Sequence, residues 1–127
     1  MLAKAAEKSK YTKLIHQDIL KFLKITKETY EIIIAADVLI YIGNLDEIFK
    51  QSFKKLDKNG RFIFSVEELK FGTYKATYNG RFLHNSKYIN NQLEKNKFII
   101  ETSRRTKIRK EHNKWVNGVI YSVMKDV

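Results

Sequence analysis

The residues best suited to chemistry in this 127-residue chain sit where apolar runs stop. The stretch IIIAADVLIYIGNL, residues 32–45, puts Asp37 directly after three isoleucines and two alanines. A carboxylate in such surroundings must be solvated, paired or engaged with a ligand. Asp18 closes KLIHQD in the same manner, and it equally suits a helix N-cap ahead of Ile19. Glu67 and Glu68 follow RFIFSV, as a polar strand exit or as acids turned toward a substrate. His84, in GRFLHNS, has an intrinsic pKa near neutrality and is the candidate acid or base; a loop or cap histidine is the plainer alternative. His16 and His112 read as a strand-edge and a turn residue, and no two histidines have metal-ligand spacing. With no cysteine in the chain, thiolate metal sites and disulfides are excluded, and no metal is expected.

The elements that must position these residues emerge from periodicity. Residues 1–10 suit a helix, and a short strand through Leu14 and Ile15 ends near Asp18. Ile19, Phe22 and Leu23 repeat at helical spacing. Tyr30 to Ala35 is the clearest strand, apolar at consecutive positions as in a sheet covered on both faces. Asn44 and Glu47 have capping-box spacing for a helix with Leu45, Ile48, Phe49, Phe53 and Leu56 on one face, stopping at Asn59-Gly60. Arg61 to Val66 is the next strand, residues 67–80 a polar loop, and Ser86 caps a helix with Tyr88, Ile89 and Leu93 inward. Phe98 to Ile108 and Trp115 to Met124 make an antiparallel pair around the turn RKEHNK. Strands alternating with helices predict a single α/β domain over residues 1–127, an open sandwich with helices on both faces.

Composition narrows the class. Hydrophobic residues make up 43% of the chain, enough for a packed core, and the length allows one core rather than two. The opening MLAKAAEKSK lacks the apolar centre of a secretory signal. The run Ile32 to Ile42, interrupted by Asp37, is too short to span a bilayer, so a cytoplasmic protein without a membrane partner is expected. The formal charge of +11 would attract nucleic acid. Against this, 20 of the 25 cations are lysines scattered along the chain, as drift in an AT-rich coding sequence would leave them. Only RRTKIRK, residues 104–110, is a dense basic cluster.

The segment YEIIIAADVLIYIGNLDEIFKQSFKKLDKNGRFIFSVEE resembles the fourth strand, succeeding helix and fifth strand of class I, Rossmann-like S-adenosylmethionine (SAM)-dependent methyltransferases. YNGRFLHNSKYINNQLEKNKFII resembles the next stretch of the type 11/12 branch, and the closing hairpin is also that family's ending. The resemblance implies a truncated Rossmann-like sheet, with strands equivalent to 3-4-5-7-6 of the family order 3-2-1-4-5-7-6, flanking helices and a C-terminal antiparallel hairpin. It implies SAM as cofactor. Asp18 and Ile19 match the adenine-side position, and Ala35, Ala36 and Asp37 the strand end beside the methionine portion. Small side chains there let a ligand lie close, at the carboxyl ends of parallel strands. Tyr41 and Glu67 match substrate-side positions, and His84 falls in a GRFxHS element that would place it as the catalytic residue.

One family element has no counterpart in the sequence. The five glycines, at 43, 60, 72, 80 and 118, form no G-x-G, so the glycine-rich SAM loop is missing and the chain resembles the family's C-terminal portion. Strands 1 and 2 would be absent, leaving the Ile32–Ala35 strand as an open apolar edge. The expectation is that the Leu14–Ile15 strand moves in there, or that a second copy or complementing chain pairs across it. The function implied is methyl transfer to an unidentified acceptor, incomplete or inactive in this chain alone. The alternative is a non-catalytic basic binding or scaffold module contacting RNA or an acidic protein partner.

Overall fold

The computed structural model describes residues 19–126; the predicted 1–10 helix, the Leu14–Ile15 strand, His16 and Asp18 lie outside the described residues. Within them, helix α1 (Ile19–Ile25) leads to strand β1 (Tyr30–Ala35), a 3-10 turn (Leu39–Tyr41), α2 (Asp46–Lys54) and β2 (Leu56–Glu68). Two short strands come next, β3 (Tyr74–Ala76) and β4 (Phe82–His84), then α3 (Ser86–Lys95), β5 (Phe98–Glu111) and β6 (Lys114–Lys125).

β2 organises the six-stranded sheet. It pairs parallel with β1 over Ile32↔Arg61 to Ala35↔Phe64, and antiparallel with β6 over Arg61↔Met124 to Glu67↔Gly118. β5 closes the far side against β6. The order β1-β2-β6-β5 reproduces the expected 4-5-7-6, with the antiparallel hairpin at the end. β4 extends the β1 side of the sheet by pairing with β2 at Glu67 and Glu68, and β3 flanks it. Among the described residues β1 pairs with β2 alone.

The helices settle on one face. Ile48 and Phe49 of α2, Ile89 and Leu93 of α3 and Leu23 of α1 share a core with Ile33, Ala35, Phe62, Phe64, Val66, Tyr121 and Val123. Phe49 is the hub, with ring centroids 6.1, 5.2 and 6.4 Å from Phe62, Phe64 and Phe98, and Tyr121 stacks on Phe64 at 5.0 Å. The opposite face carries Ile32 and Ile34, 54% and 65% exposed, with Ile63 and Ile120 in register. The consecutive isoleucines therefore alternate in and out, and the expectation of helices on both faces is corrected for the described residues: α2 and α3 cover one.

Several local expectations shift by small, explicable amounts. The N-cap of α2 is Leu45, with no side-chain cap bond; Asn44, one residue earlier, accepts from the Asp46 N–H at 3.0 Å, and Glu47 accepts from Gln51 rather than closing a box. The helix stops at Lys54, before Asn59-Gly60. That pair instead forms a bulge inside β2, where residues 56 to 61 span the distance of residues 30 to 32 on β1. Asn59 is left-handed there, and a Cβ on Gly60 would lie 2.8 Å from the Asp57 carbonyl. Asn85, not Ser86, caps α3, accepting from Lys87 at 2.9 Å. The predicted 67–80 loop contains β3, and the hairpin turn shrinks to His112 and Asn113. Both have positive φ, 51° and 63°, as a type I′ turn requires.

Candidate functional site

The carboxyl ends of β1 and β2 gather most of the sequence-predicted site residues, and they do so on two sides of the sheet. Asp37 leaves β1 with φ 56°, exposed, its N–H 3.5 Å from the Ser65 hydroxyl of β2. This left-handed residue takes the chain out of β1 toward the 3-10 turn. Ala35 points into the core and Ala36 outward. Ala36 lines an open, largely apolar cleft of about 300 Å³ on the uncovered face, floored by Ile34, Ile63 and Ser65 and walled by Thr106 and Ile108. Ile108 reaches over Gly118, where any Cβ would lie 1.8 Å from its Cδ1.

Glu67 continues this face but is not free. It is 3% exposed, and Arg109 clamps both its oxygens at 3.0 Å while donating to Glu111 at 2.9 Å. Burial lowers the Arg109 pKa, but the two carboxylates outweigh it and the net direction is upward. Glu68 points the other way and pairs with Arg105 at 2.7 Å. Beside it, a polar cleft of about 540 Å³ is lined by Glu68, Lys70, Asn85, Asn90, Arg105 and Tyr121. Burial, reinforced by the Glu68 charge, pushes the Tyr121 phenol up to about 12, so it stays a proton donor throughout the physiological range.

His84 is a strand residue of β4, neither loop nor cap, and is 1% exposed. Its Nε2 lies 2.9 Å from the Ile42 carbonyl and 3.1 Å from that of Gly43, so Nε2–H donates and ties the segment after β1 to β4. Nδ1 is buried without a partner. Burial lowers the histidine pKa, and the two carbonyl hydrogen bonds recover only part of the loss. Tyr41 is exposed on the 3-10 turn beyond Asp37. Ile19, the first residue of α1, packs against the core. The structure thus brings Ala36 and Asp37 together at one strand end and places His84 in the interior. Arg109, Ser65 and Tyr121 had no individual signal in the sequence. Arg109 was visible only within RRTKIRK, and a buried acid needing a partner was the clue that could have singled it out.

Among the described residues no group of three or more histidine or acidic side chains is arranged to hold a metal, and no helix is long and apolar enough to cross a membrane.

No family description matches the sequence, and no curated protein is similar to it. In three dimensions the chain shares its fold with solved methyltransferases. A putative S-adenosylmethionine-dependent methyltransferase from Listeria monocytogenes superposes with a TM-score of 0.69 at 19% identity, over 96% of this chain and 75% of that one. Magnesium protoporphyrin IX methyltransferase from Synechocystis PCC 6803, with bound SAH, gives 0.69 at 18%, over 98% and 59%. A Methanosarcina mazei SAM-dependent methyltransferase gives 0.63 at 10%, over 81% and 64%. The fold is that of the class I methyltransferases. The chain spans about 60% of the length of several of these structures, and β1, β2, β6 and β5 supply the methyltransferase strand order.

Proposed function

We propose that the chain is a SAM-dependent methyltransferase-type domain that supplies one side of the cofactor site and needs further backbone to complete it. The observation that carries this reading is the end of β1. A parallel strand closes in two alanines and a solvent-facing carboxylate beside an apolar cleft, on a fold shared with enzymes whose structures hold SAM or SAH. Ligands in open α/β sheets lie outside the carboxyl ends of parallel strands, where β1 places Ala35, Ala36 and Asp37.

The fit is one-sided. Ala36 leaves room for close approach, and the Asp37 carboxylate is free to accept from an ammonium group. No glycine pair faces them to cradle the remainder of the cofactor. When bound, SAM supplies an already electrophilic methyl, so the protein's task is to hold an acceptor in line with it. Asp37 and the alanines would hold the methionine end. Tyr41, exposed just beyond, would border the acceptor. Glu67 and His84 act on this site through packing: the Glu67–Arg109 pair braces the cleft wall, and His84 Nε2–H fixes the segment after Asp37.

Calorimetric titration of the chain with S-adenosylhomocysteine tests the reading. Weak binding that falls about tenfold or more in Asp37→Ala, as expected for a lost charge-assisted hydrogen bond, supports it. Binding unchanged by Asp37→Ala overturns the assignment of this strand end. The absence of any binding overturns the cofactor assignment for the chain alone.

A further inference from the structure

The basic cluster RRTKIRK is divided by the fold. Perfect alternation along β5 would put Lys107 and Lys110 on opposite faces. The pairing instead skips Ile108: Lys107 faces Asn117, Arg109 faces Val116 and Lys110 faces Trp115. This bulge returns Lys110 to the face of Lys107 and Arg105 and drops Arg109 to the other. There Arg109 meets Glu67 and Glu111, and Arg61 takes Glu101 at 2.7 Å. The acids of the hairpin are thereby consumed on one face.

What remains on the other face is Arg105, Lys107 and Lys110 on β5, with Trp115 and Asn117 beside them on β6. Trp115 is 50% exposed, and the ammonium groups of Lys107 and Lys110 lie 5.9 and 5.3 Å from its ring. Glu68, at the β2 end of that face, is already paired with Arg105. We propose that this strip binds single-stranded nucleic acid, a base stacking on Trp115 while Lys107 and Lys110 take the flanking phosphates.

Three features favour this occupant over an acidic peptide. An exposed indole offers a flat surface that every base can use, whereas carboxylate side chains gain nothing from its electron-rich face. Two ammonium groups close to the ring suit a chain whose charges flank its aromatic groups. The strip also runs along a two-stranded ribbon, matching a backbone that continues past the stacked base. Duplex ends offer few unstacked bases, so single strands are preferred. The strip shares Lys107 with the lining of the candidate cofactor cleft, whereas Trp115 and Lys110 lie outside it.

Trp115 is the only tryptophan in the chain, so its emission reports on the strip directly. Titration with oligouridylate and oligothymidylate of about twenty nucleotides should quench that emission. Labelled-oligonucleotide anisotropy should show affinity falling steeply with salt. Trp115→Ala should weaken binding about 5- to 100-fold, the range of one lost base stack, while Trp115→Phe retains most of it. Lys107→Gln combined with Lys110→Gln should make the log–log salt slope shallower by about 1.4, two released counterions on a single strand. Both alterations lie on exposed strand positions, and circular dichroism checks that the fold is kept. Absence of quenching would overturn the proposal. So would wild-type affinity in the tryptophan and lysine variants alike, equal binding of a duplex of the same length, or equal quenching by polyglutamate.

Discussion

On one face of the sheet Ile33, Ala35, Phe62, Phe64, Tyr121 and Val123 lie beneath α2 and α3; on the other, Ile32, Ile34, Ile63 and Ile120 meet no described helix. The two sets interleave along the same strands, so composition does not distinguish them. What differs is the second layer. A strand residue gains its full burial energy, about 25 cal/mol per Å² of apolar surface, only where another element covers it. The uncovered face compensates by holding its charges in pairs: Glu67 with Arg109, Arg61 with Glu101. It is also the face on which the candidate cofactor cleft opens. Stability is concentrated on one side of the sheet and the candidate chemistry on the other.

The sharpest test of that division is Phe64→Ala. Phe64 touches Phe49, Phe62 and Tyr121, and it packs in the middle of the covered face. Truncation should cost about 3–5 kcal/mol, the range for a large aromatic removed from a core that collapses poorly. For a domain of marginal stability this removes much of the folded population, visible as a large drop in the urea midpoint. A cost near 1 kcal/mol would mean that the covered face is not the centre of stability.

Next in size is the clamp on the open face. Arg109→Met leaves the Glu67 carboxylate nearly buried without its partner. The expected loss is about 2–3 kcal/mol, below the range for a fully buried pair because Arg109 is a quarter exposed. Adding Glu67→Gln removes the stranded charge and should restore most of the loss. Urea melts of the single and double variants measure both terms. Failure of the second change to rescue the first would show that packing of the guanidinium, rather than charge, holds the cleft wall.

Much of this architecture was legible in the sequence because the signals were local. Ile48, Phe49 and Phe53 at helical spacing and RFIFSV as a strand each encode their own conformation, and they appear as expected. The sheet order of β1, β2 and the hairpin was not local information; it followed from the resemblance to the methyltransferase family, and it appears as that resemblance implies. Burial was not legible, because YEIIIA is compatible with a sheet covered on one face or both, and among the described residues helices cover only one. His84 was misplaced for a related reason: the short strand that buries it, Phe82–His84, depends on pairing with the far end of β2 rather than on its own residues. The bulge at Ile108 was equally silent, since RRTKIRK alternates well enough to pass for a regular strand. At the candidate site, Asp37 stood out by its type at the end of an apolar run, and Ala35 and Ala36 only through the family resemblance. Arg109 and Tyr121, brought in from the hairpin by long-range register, did not.

The smallest expected effect tests the comparison most directly. Ile33 and Ile34 are adjacent, of one residue type, and differ only in the face they occupy, 9% against 65% exposed. Ile34→Thr should change stability by less than about 0.5 kcal/mol, as surface substitutions do. Ile33→Thr loses buried apolar surface and places a hydroxyl in the core, which together should cost about 2 kcal/mol or more. Urea melts at two protein concentrations measure both. If Ile34→Thr costs as much as Ile33→Thr, the open face is covered in solution. A midpoint that then rises with protein concentration would make the cover a second chain, whereas a concentration-independent midpoint would place it within the same polypeptide. If instead the two differ as expected, the isoleucines of the open face contribute little to folding. The place of Ile34 and Ile63 at the floor of the cleft then points to contact with a ligand rather than to stability, and the ligand would lie against the strand end that carries Asp37.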